Sequence, residues 1–173
     1  MSEQYLGQGI DILLGQEFLT WLWFISETKP MGFKDSKGQL FTFSMEQRVV
    51  VQGGEGESLE TATVFGPYSP LREARIGLQT GKKVTRALLR FEKDELSWQL
   101  TLKAENFSFG NFQTPKVSLD SDEPDAVFLE KIYLIETCLH FIDICYKNFL
   151  HVRLSSEWEI EKKELISWIF KSE

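Results

Sequence analysis

Phe18-Leu19-Thr20-Trp21-Leu22-Trp23-Phe24-Ile25 places seven large apolar side chains in eight consecutive positions. Eight residues go more than twice around a helix, so such a segment offers water almost no polar side. It is either buried deep in a core or held against a partner. The spacing predicts a helix from about Gly15, stopped by Pro30 and Gly32. Its side chains Phe18, Trp21, Leu22, Trp23 and Ile25 are the expected oligomer interface, of a homodimer or larger assembly.

The remaining pattern mixes strands and helices. Lys37-Gly38 reads as a turn, and the β-rich stretches Gln39–Ser44 and Arg48–Gln52 predict a hairpin. Gly53–Glu57 reads as a loop, and it lacks the Lys-Ser/Thr continuation of a phosphate-binding loop. Thr61–Phe65 predicts another strand. Ser69-Pro70 is a helix start and Gly81 a stop, with Leu71, Ala74 and Leu78 on one face beside Arg72, Arg75 and Gln79.

Lys82–Phe91 and Leu96–Lys103 alternate as a β-hairpin turning at Lys93-Asp94. That register sets Phe91 against Leu96, Leu89 against Trp98, Ala87 against Leu100 and Thr85 against Leu102, an apolar face. The other face carries Lys82, Val84, Arg86, Leu88, Arg90, Ser97, Gln99, Thr101 and Lys103. Phe107–Phe112 predicts one more strand, bulged at Gly110-Asn111.

After an acidic loop, Leu119–Pro124, a long helix is expected over Asp125–Leu154. Phe128, Ile132, Ile135, Leu139, Ile142, Tyr146 and Phe149 form its apolar stripe at alternating spacings of three and four. Ser155 or Ser156 should cap a last amphipathic helix running to Phe170. The order predicts a single α+β domain over 1–173, with residues 1–14 loosely held. In it an antiparallel sheet packs against helices, and a long helix late in the chain precedes a shorter one.

With 173 residues, 42% of them apolar, such a domain can bury a real core. No apolar run is long enough to cross a bilayer, and Met1–Gln4 lacks a signal-peptide pattern, so a cytoplasmic protein with no membrane partner is expected. Charge is uneven. Ser69–Arg90 holds six basic residues and one acid, a local +5 in a chain of net −7. Arg72, Arg75, Lys82, Lys83, Arg86, Arg90 and Lys103 are therefore the candidate contacts for an anionic polymer, with phosphates as the natural target. No aromatic residue interleaves them, which gives no support to stacking on single strands.

Catalytic and metal chemistry find little here. Cys138, His140, Asp143, Cys145 and His151 lack ligand-pair spacing, and the two cysteines, about 10 Å apart along one helix, read as core residues. Asp125 with Glu161 and Lys163 mimics a nuclease set, but on a helix instead of a strand. With both histidines in the long helix, a serine–histidine triad has no basis. No enzyme, metal or cofactor is expected.

Three stretches resemble the C-terminal half of the bacterial recombination-associated protein RdgC family. They are Phe18–Trp21 with Gly32-Phe33, then Gly81-Lys-Lys-Val-Thr-Arg-Ala-Leu-Leu89, then Asp125–Leu129. The resemblance implies a non-enzymatic, sequence-independent binder of double-stranded DNA, nucleoid-associated, that affects recombination and acts on a RecA-type recombinase. It maps Lys82 and Arg86 onto basic positions of the family pattern. The resemblance covers only the family's C-terminal half, so the closed ring-shaped dimer of the family is not implied for this chain. The alternative is an assembly module derived from that family, whose apolar helices bind a protein and which does not bind DNA.

Overall fold

The computed structural model describes residues 11–30, 32–53, 60–64, 70–117 and 123–171, with the backbone alone at 47–48, 60–64 and 70–72. Its elements are α1 (Gly15–Thr28), β1 (Phe33–Lys34), β2 (Leu40–Gly53), β3 (Glu60–Val64), α2 (Pro70–Gln79), β4 (Lys83–Lys93), β5 (Leu96–Lys103), β6 (Phe109–Gln113), α3 (Pro124–Arg153) and α4 (Trp158–Phe170). All strand pairs are antiparallel, in the order β1-β2-β4-β5-β6, with β3 also on β2. The class is α+β, as the element order predicts. No described helix is long and apolar enough to cross a membrane.

The helices pack on one side of the sheet. Phe41, Leu89, Phe91, Trp98 and Leu100 point into the core, where Phe141 of α3 stacks on Phe41 at 4.3 Å and meets Trp98 edge-on at 5.3 Å. The Trp98 indole donates to the Leu134 carbonyl at 2.9 Å. Helix α1 lies inside this layer, with Phe18, Leu19, Leu22 and Trp23 fully buried. Burying each such side chain is worth about 1.5–3 kcal/mol. The Asp11 carboxylate accepts from the Gly15 and Gln16 amides at the entrance to α1, and any side chain on Gly15 would strike the Ala104 carbonyl.

Three carboxylates tie α1 to its neighbours. Glu17 meets Arg153, whose guanidinium lies over Trp158. Glu161 accepts from the Trp21 indole and pairs with Lys29 at 2.7 Å. Glu27 accepts from both Trp23 and Trp168 and pairs with Arg75. Tryptophan N–H groups need partners when buried, and Glu161 and Glu27 supply them.

Several expectations change. Phe18, Trp21, Leu22, Trp23 and Ile25 are at most 7% exposed within the chain's own core, so they form no free oligomer surface. The all-round apolar helix is central because sheet and helices enclose it from both sides. Gln39–Ser44 and Arg48–Gln52 are not a hairpin: from Leu40 onward both belong to one strand, β2, irregular between Met45 and Val49. The turn before it, held by the Asp35 carboxylate on the Lys37 and Gln39 amides, leads back to β1.

The β4–β5 register is displaced by two residues. Asp94-Glu95 forms the turn, with Asp94 at φ 53°, so Leu89 opposes Leu100 and Phe91 opposes Trp98. A shift of two keeps every side chain on its face. Val84 is the exception. A register irregularity at Thr85 against β2 turns Val84 into the core. The β6 bulge falls at Asn111-Phe112, opposite Leu100, with Asn111 at φ 50°. Finally, the core stripe of α3 is Leu134, Cys138, Phe141, Cys145 and Phe149. Only the C-terminal end of the expected stripe joins the core, where Tyr146 packs on Phe18 and Phe107.

Candidate functional site

The basic segment does not stay together once folded. Arg75 turns toward α4, its side chain 13% exposed, bonded to Glu27 and stacked 4.7 Å over Trp168. Lys83 is 1% exposed, and burial pushes its ammonium pKa down to about 8. Arg90 lies 2.9 Å from Glu92 and 4.0 Å from Glu46 on the outer sheet face. Lys82 is half-buried, its stem beside Gly53 and Gly77. The Arg72 side chain lies outside the described residues.

Arg86 and Lys103 remain. They are directly opposed across β4 and β5 on the outward face, Arg86 exposed and Lys103 half-exposed. Neither has an ion-pair partner among the described residues. Like charges set opposite one another destabilise a strand pair, and an anion above both would relieve that repulsion.

The residues weighed as ligands or catalysts also separate. Burial pushes the Cys138 thiol up to about 12 and the Cys145 thiol up as well, while His140 is exposed and Asp143 pairs with Lys147. Glu161 serves Trp21 and Lys29.

A second surface is larger. On the N-terminal half of α3, Phe128 (62%), Ile135 (38%) and Leu139 (38%) are exposed, with Ile132 half-buried between them. Leu129 (64%) and Tyr133 (59%) flank this row. The sequence pattern places Phe128, Ile132, Ile135 and Leu139 on one stripe but does not say that α3 has two. The core stripe runs Leu134-Cys138-Phe141-Cys145-Phe149, about a third of a turn away. Both have helical spacing, so periodicity alone does not choose the inner one. The usable signal was that α3 carries more large apolar residues than one face can bury.

No protein-family model matches the chain, and no curated protein or solved structure shows significant similarity to it.

Proposed function

We propose that this chain is a non-enzymatic protein-association module that docks a helical partner on the N-terminal half of α3. The exposed row Phe128, Ile135 and Leu139, flanked by Leu129 and Tyr133, carries this reading. A contiguous apolar patch rimmed by charge marks an interaction surface far more often than isolated exposed residues do. It matches the alternative drawn from the RdgC resemblance, an assembly module without a DNA role.

Sequence-independent binding of duplex DNA, with its link to recombination, is the second reading, favoured by the opposed Arg86 and Lys103. Among the described candidate residues only these two stand open, and on a chain of net −7 they support only weak, strongly salt-dependent contact.

One experiment addresses both. The chain is purified under native conditions from its own source, as wild type and as Phe128→Glu/Leu139→Glu. The species are weighed by light scattering and titrated with unrelated duplexes at several salt concentrations. The association reading expects a wild-type species heavier than the 20.1 kDa chain and a lone chain for the variant. A wild type that runs alone would refute it. The DNA reading expects duplex binding that Arg86→Ala/Lys103→Ala weakens, with a log–log salt slope smaller by about 1.8 if both residues contact phosphates. Absence of duplex binding at low salt removes it.

A further inference from the structure

We infer that the occupant of the α3 face is a second copy of this chain, paired antiparallel through the same half-helix. This rests on the reading of α3 as a docking face. Three observations select the partner.

The first is the period. Phe128, Ile132, Ile135, Leu139, Ile142 and Tyr146 are separated by four, three, four, three and four residues, the heptad seam with which one helix receives another at a crossing angle of about 20°.

The second is area. With large side chains burying about 150–250 Å² each, the exposed fractions of Phe128, Leu129, Ile135 and Leu139 amount to roughly 400 Å² per copy. Two copies bring this to roughly 800 Å², the size of a weak, reversible interface that forms at micromolar concentration.

The third is the shape of the seam's far end. The Tyr146 hydroxyl donates to the Leu13 carbonyl at 2.8 Å, and its ring meets Phe18 and Phe107. The chain's own α1 entrance therefore covers the seam at that level. In a parallel pair the two covered ends would face each other and collide. In an antiparallel pair Phe128 faces the partner's Leu139 and Ile132 faces the partner's Ile135. In that register α3, which begins at Pro124, starts opposite the partner's Asp143, short of the cover at Tyr146. The two open halves match, and the bodies lie at opposite ends.

The test uses the full chain with Ile132→Cys and, separately, Ile135→Cys, each checked for an unchanged melting transition. Cys138 and Cys145 are fully buried and give little background. After oxidation, a mixture of the two variants should form the disulfide-linked dimer several-fold more than either variant alone. Adding Phe128→Glu to both should abolish it. Equal or greater cross-linking by the single variants would overturn the antiparallel pairing. No cross-linking in any combination would overturn self-pairing. The association reading would still stand if the natively purified species remained heavier than one chain.

Discussion

Lys83 shows most directly how a side chain's role departs from its charge. In the sequence it is one of six cations in a +5 segment, and in the fold it is 1% exposed beside Val84 in the core. Its pKa of about 8 lies below the ordinary 10.5 because burial penalises the ammonium. Below about pH 8 the ammonium is present in both folded and unfolded chains, and the penalty is complete. Between about 8 and 10.5 the folded chain releases its proton first, so the penalty disappears. Compared with Lys83→Met, the wild type should therefore gain stability as pH rises through that window. Denaturant titrations of both proteins at pH 7, 9 and 10.5 measure the difference, and a gap that does not change with pH would contradict the placement of Lys83. Arg75 teaches the same lesson, since the Glu27 and Trp168 that hold it come from segments 48 and more residues away. Charge counting sees cations but not which of them the fold consumes.

At the scale of elements, boundaries were legible wherever local chemistry sets them. Pro70 opens α2 and Gly81, at φ 89°, closes it, while Pro124 opens α3. Pairing was less legible. Alternation in β4 and β5 assigns faces correctly but is blind to a slip of two, which moves Trp98 from Leu89 to Phe91. The irregularity at Thr85 depends on β2, a strand more than thirty residues earlier. The face assignment has a direct check. Trp98 is 1% exposed and donates to Leu134, so Trp98→Ala should cost about 3–5 kcal/mol in chemical denaturation. Gln99→Ala, on the outer face, should stay within about 0.5 kcal/mol. Comparable losses at both positions would mean that the strand is turned the other way. In α3, two apolar stripes share one helix, and only the presence of α1 and the sheet decides that Leu134–Phe149 is the inner one.

For the whole molecule, one observation organises the account. Helix α1, the most apolar segment, is consumed inside the chain, whereas α3, which caps the sheet through Phe141, leaves its N-terminal half open. The sequence indicates that apolar helix surface exceeds what a single chain needs, but it assigns the surplus to Phe18–Ile25. The surplus lies at Phe128–Leu139 because a helix enclosed on both sides has no surface left to share, while α3 turns one stripe to the sheet and α1 and leaves the other open. In the proposed dimer this surplus is covered by a second copy of the chain. Sedimentation equilibrium of the purified protein at tens of micromolar, under reducing conditions, tests it most directly. The expected result is twice the 20.1 kDa chain mass for the wild type and a single chain mass for folded Phe128→Glu/Leu139→Glu. A monomeric wild type, or a dimer that the two glutamates leave intact, would contradict it.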